Sequence, residues 1–179
     1  MWPEKHPICI NCFKIQHICT FIYLLSRLMP YYLLILLVPF GLFVGLWASG
    51  KRTNRHSGLA AALATAFGLG ISLFAVYERA YGSYSWEWAT FGSKALYFTL
   101  QVDALTAVLL VMVHLVALLV QLYSRDYMPH EANLYRYFAF IQLFLFSMVG
   151  ILLSRSLLVM YIFWELVGVS SYLLIGFWL

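Results

Sequence analysis

Two ionisable side chains in this 179-residue sequence lie inside long uncharged runs, Glu165 in the run 157–179 and His114 in the run 104–123. If 157–179 is a helix, Glu165 stands about 12 Å along its axis from Leu157, which is deep in the hydrocarbon of a bilayer. A carboxylate there costs about 2.5–3.5 kcal/mol to insert, so such groups normally face a bundle interior or a water-filled cavity and carry function. Helical spacing sets Tyr161, Gly168, Val169 and Tyr172 around it, two phenols and one small residue that leave room for water. With a mobile cationic partner Glu165 becomes a proton-binding switch; the competing reading is a structural glutamate locked to one partner or held protonated. His114 can relay protons, because imidazole titrates near neutrality and can donate at one nitrogen while accepting at the other. Its competing reading is a neutral histidine hydrogen-bonded to an adjacent helix.

Other chemistry-bearing residues carry less. Cys9-x-x-Cys12 with His17 and Cys19 has the ligand count of a Cys/His metal site, against the plainer reading of unpaired thiols in a tail. These residues belong to a stretch, 1–28, whose apolar runs are cut by Lys14, His17 and Arg27 and which shows no cleavage pattern of a signal peptide. It is read as an extension upstream of a native start at Met29, the alternative being a genuine extra element. Arg125, Asp126, Glu131 and Arg136 are expected to pair with one another as an interfacial rim. Met148, Met160 and the phenylalanines 138, 140, 144 and 146 read as helix or lipid packing. The sequence holds no glycine-rich phosphate loop, no H-E-x-x-H and no nucleophile elbow, so no NADH site, redox cofactor or metal is expected in this chain.

The elements that must position Glu165 and His114 follow from composition. The chain is 64% hydrophobic, 18% aromatic and only 10% charged, which excludes a water-soluble enzyme and points to an all-α, polytopic transmembrane helix bundle. About five spans are expected, near 29–48, 58–77, 104–123, 137–153 and 157–179, together making a membrane domain over 29–179. Pro39 falls inside the first span. In the second, Gly58, Ala61, Thr65, Gly68 and Ser72 share one face, the pattern that lets membrane helices approach closely. The segment 78–99 mixes charge with Trp86, Trp88, Tyr81, Tyr84 and Tyr97, as at a membrane–water boundary, and alternation over 95–101 suggests a short strand. Asp103, with Thr106 three residues on, is expected to cap the third span. Only S-R-S at 154–156 separates the last two spans, which must therefore be neighbours. The net charge of +4 reads as topology rather than nucleic-acid binding. Lys51, Arg52, Arg55, Arg125 and Arg136 place the connections 1–2 and 3–4 in the cytoplasm, although Lys5, Lys14 and Arg27 would reverse the balance if residues 1–28 were native.

The segments Y-S-R-D-Y-M from Tyr123, Y-R-Y-F-A-F-I-Q-L-F-L-F-S-M from Tyr135 and Y-I-F-W-E-L-V-G-V-S-S-Y-L-L-I-G-F-W from Tyr161 resemble the antiporter-like membrane subunit of proton-pumping NADH:quinone oxidoreductase. This is subunit L of bacterial respiratory complex I, known as chain 5 in mitochondria and with a counterpart in plastids. V-D-A-L-T-A at 102–107 is similar to the family's L-D-x-L-S-A. The resemblance covers about residues 30–179 and only the first helices of a much longer family chain, so the sequence is read as an N-terminal fragment. It implies that Glu165 is the essential glutamate of the W-E-x-x-G motif, working with a lysine on a later helix. It further implies a subunit that takes part in proton translocation, in a bacterial plasma membrane, beside other membrane subunits of the oxidoreductase. NAD, flavin, iron–sulfur clusters and quinone would then belong to partner subunits. Where many relatives carry a histidine two residues before Y-S, this chain has Gln121, and His114 lies seven residues earlier. A subunit of a multi-subunit sodium/proton antiporter, or a truncated non-catalytic remnant, are the alternative readings.

Overall fold

The structure, a computed structural model, describes residues 31–50, 54, 56–79, 81–91, 94–128 and 133–178. Residues 1–28 with their cysteines, and Lys51, Arg52, Arg55 and Glu131, lie outside the described residues. Five helices dominate: α1 (Tyr31–Ser49), α2 (Ser57–Tyr77), α3 (Ala104–Tyr127), α4 (Leu134–Leu153) and α5 (Leu157–Ile175), the last followed by a 3-10 turn, Gly176–Trp178. Each is long and apolar enough to cross a membrane. The chain is an integral membrane protein built as an all-α polytopic bundle.

Helix boundaries follow local signals. The Asp103 side chain accepts the Thr106 N–H at 2.7 Å and caps α3. That helix runs beyond Tyr123 to Tyr127, because no residue before Pro129 stops it, and Arg125 and Asp126 therefore lie on its last turn. The next helix, α4, starts at Leu134, three residues ahead of the expected Tyr137, and Leu134 is buried.

The centre of the bundle is α4, with twelve buried residues against three on α5. The small-residue face of α2 is buried throughout, at Gly58, Ala61, Thr65, Gly68 and Ser72, and packs on α3 and α4. A Cβ on Gly58 would meet Phe138 of α4 at 2.9 Å, and one on Gly68 would meet His114 of α3 at 2.5 Å. The chain turns back sharply between α4 and α5, which pack together with the Phe163 ring pressed against Gly150. Phe146 meets that ring edge-on at 5.4 Å.

Between α2 and α3 the chain forms an antiparallel hairpin, β1 (Gly82–Phe91) with β2 (Lys94–Val102), in the register Gly82↔Val102 and Trp86↔Phe98 and with an irregularity between Glu87 and Ala89. Alternation points only to the strand at 95–101. Trp and Tyr are favoured both at membrane boundaries and in strands, so composition alone does not reveal the pairing of β1. The hairpin is two-faced. Tyr84, Trp86, Phe98 and Leu100 share an apolar groove with Leu33, Leu36, Val159 and Ile162, whereas Ser83, Ser85, Tyr97 and Thr99 gather with Arg155 on the opposite face. Arg155 ties the α4–α5 turn to β2: its N–H donates to the Thr99 carbonyl at 3.1 Å and its guanidinium to the Gln101 side chain. The turn S-R-S thus anchors the hairpin as well as reversing the chain.

Candidate functional site

The sequence W-E-L-V-G continues α5 without a break, so Glu165 is carried at mid-length of a spanning helix. Val159, Phe163 and Ser170 form the inward stripe of α5. Glu165 falls outside that stripe and is exposed, with Tyr161, Trp164, Val169 and Tyr172 exposed around it. Of the two phenols expected beside the carboxylate, Tyr161, one turn earlier, interacts with it through its hydroxyl. The glutamate therefore faces away from the bundle formed by the described residues. It stands midway along α5 on an aromatic surface that these residues leave uncovered.

His114 lies elsewhere, fully buried on the inner face of α3. Its Nδ1 lies 2.8 Å from the Leu110 carbonyl one turn earlier, which makes Nδ1 the protonated nitrogen and Nε2 an acceptor. Nε2 fits the notch left by Gly68 and has no hydrogen-bond partner among the described residues. The bond goes to the histidine's own helix rather than to an adjacent one. The structure does not bring His114 and Glu165 together: one is enclosed between α2 and α3, the other is on the open face of α5. Arg136, expected in a rim of paired charges, has its guanidinium 5.8 Å from the centroid of Trp47 of α1. Among the described residues no three His, Cys, Asp or Glu side chains gather as a metal site.

Charge alone does not reveal a second polar centre, where α2, α3 and α4 meet. Thr65 Oγ1 lies 3.0 Å from both the Ala61 carbonyl and Gln121 Oε1, and Gln142 Nε2 donates to the Ala61 carbonyl at 3.0 Å and to Thr65 Oγ1 at 3.1 Å. All three polar side chains are at most 1% exposed. The signal available in the sequence is the occurrence of uncharged polar residues inside otherwise apolar spans. Nearer one end of α3, Ser124 Oγ and the Tyr137 hydroxyl share a further bond at 2.9 Å.

Comparison with known proteins finds similar sequences over part of the chain. Residues 88–138 match the model of the NADH-ubiquinone oxidoreductase (complex I) chain 5 N-terminus. The chain is 42% identical over 120 residues to NAD(P)H-quinone oxidoreductase subunit 5, chloroplastic, of Anthoceros angustus, covering 67% of this chain and 16% of that protein. It is 38% identical over 148 residues to the protein of the same name from a Saccharum hybrid, covering 80% of this chain and 20% of that one. The Glycine max protein is 39% identical over 112 residues, 63% of this chain and 15% of its own length. The chain thus spans about a fifth or less of the length of these curated relatives.

Proposed function

We propose that this chain, a relative of the N-terminal part of complex I chain 5, serves in a membrane subunit of an NAD(P)H:quinone oxidoreductase and takes part in proton translocation coupled to electron transfer from NAD(P)H to quinone. One observation carries this reading: a carboxylate midway along a helix long and apolar enough to span a membrane, on a face that the described bundle leaves open. Left against lipid, Glu165 would cost about 2.5–3.5 kcal/mol on insertion scales, so the working protein must cover it with further protein or line it with water. A covered carboxylate held beside the Tyr161 hydroxyl can bind and release a proton as a neighbouring cation approaches or withdraws. Glu165 is given the proton-coupling role and His114, enclosed in the Gly68 notch, a packing role.

Electron transfer is assigned to partner subunits, which would supply NAD, flavin, iron–sulfur clusters and quinone; this chain would hold charge and move protons. Its partners are then the other membrane subunits of the oxidoreductase and the lipid bilayer. The α3–α4 connection, flanked by Arg125 and Arg136, is placed on the cytoplasmic side together with the basic α1–α2 connection. A bacterial plasma membrane and the plastid membrane suggested by the relatives' names are the two candidate locations, which cell fractionation separates. The assignment is tested by tagging the chain in its native cell and resolving solubilised membranes on a native gel. Co-migration with NAD(P)H dehydrogenase activity in a large assembly is expected; migration apart from any such activity overturns the assignment.

A further inference from the structure

The meeting point of α2, α3 and α4 holds more hydrogen-bonding capacity than its own residues use. Gln142 is fixed in orientation, because the Ala61 carbonyl 3.0 Å away accepts only a donor, and that donor must be Nε2. Gln142 Oε1 is then left without a partner among the described residues, as is Gln121 Nε2. Reversing the Gln121 amide does not remove the deficit. Thr65 has one hydroxyl proton and two acceptors at 3.0 Å. If the proton goes to Gln121 Oε1, the Gln121 amide nitrogen is unpaired; if it goes to the Ala61 carbonyl, the amide turns to donate to Thr65 and its oxygen is unpaired. In both arrangements one atom of each glutamine remains unpaired, on side chains that are 0% exposed within spanning helices. Buried polar atoms at this depth are costly unless paired, because hydrocarbon offers nothing to bond.

We propose that a single internal water molecule is bound here, bridging the side-chain amides of Gln121 on α3 and Gln142 on α4 beside Thr65 of α2. The chemistry of the site selects water over an ion. Among the described residues no carboxylate or cationic side chain belongs to the cluster, so a cation would find only neutral oxygens and an anion only an amide donor. A water can accept from Gln121 Nε2 while donating to Gln142 Oε1, or donate to both oxygens in the reversed arrangement, and so satisfies either state. Ala61 and Ala62, small and buried on α2, let that helix approach its neighbours closely here. The water joins α3 to α4 beside α2 and is independent of any role of Glu165.

The direct test is a density map of the membrane-embedded protein in its native assembly, at a resolution that shows ordered solvent. A peak within about 2.7–3.2 Å of one amide atom of each glutamine is expected. Gln121 and Gln142 in direct contact with each other, with no such peak, overturns the proposal. Stability gives a second readout. Gln121→Met and Gln142→Met each leave the water one partner short and should lower the unfolding midpoint by several degrees, whereas the double variant, with no amide left to satisfy, should lose less than the sum. Single variants as stable as the unaltered protein would equally overturn it.

Discussion

Replacing Gly68 with alanine tests the packing that sets α2 against α3. A Cβ at this position would lie 2.5 Å from His114 Nε2 and 2.6 Å from Cδ2, about an ångström inside ordinary contact. The imidazole cannot swing aside freely, because it is fully buried and tied by Nδ1 to the Leu110 carbonyl at 2.8 Å. Overpacking of this kind costs about 1–3 kcal/mol, and losing the imidazole bond adds about 0.5–1.5 kcal/mol. Alanine returns about 1 kcal/mol through its better helix propensity, which leaves Gly68→Ala destabilising by about 0.5–3.5 kcal/mol. Gly70 is the control on the same helix, since a Cβ there has nothing within 4 Å. The assay is thermal unfolding of the nanodisc-embedded protein followed by tryptophan emission. Gly68→Ala should unfold well below Gly70→Ala, and with His114→Ala added to both variants most of that difference should disappear, although the cavity left by the imidazole lowers both midpoints. Equal midpoints for the two glycine variants would refute the close packing of His114 on Gly68.

Gly150→Ala places a Cβ 2.2–2.5 Å from three atoms of the buried Phe163 ring and should separate α4 from α5, lowering the efficiency of a cysteine cross-link engineered between them; Gly168→Ala, which has open space, should leave it unchanged. The Thr106 backbone N–H and then its side chain hold the Asp103 carboxyl below the usual carboxylate range. A lowered folded-state pKa gives stabilisation that is present above the ordinary carboxylate pKa and lost as pH falls through the lowered value. Protection of the Thr106 amide from hydrogen exchange should therefore fall on acidification, and Asp103→Asn, which keeps an oxygen acceptor, should remove that acid step.

Much of the architecture is legible in the residues. Uncharged runs long enough to cross hydrocarbon mark the helices, small residues on one stripe of α2 mark its contacts, and Asp103 with Thr106 marks the start of α3. Strand β1 is hidden, because Trp86 and Trp88 satisfy a boundary and a ribbon equally well and only the pairing with Phe98 decides. The depth of Glu165 follows from counting along α5, but its direction does not: the face it occupies depends on which residues the neighbouring helix α4 covers. The Thr65–Gln121–Gln142 centre escapes a search for charge, since each member is an isolated neutral side chain until three helices converge.

The most direct test of the proton-coupling role is proton uptake measured together with NAD(P)H:quinone activity in membrane vesicles carrying the assembled oxidoreductase with Glu165→Gln. Glutamine keeps the size and hydrogen-bonding oxygen of the side chain and removes its exchangeable charge. The assembly should accumulate normally while proton translocation per quinone reduced is largely lost. Unchanged translocation in the Glu165→Gln assembly would contradict that role and remove Glu165 from the mechanism.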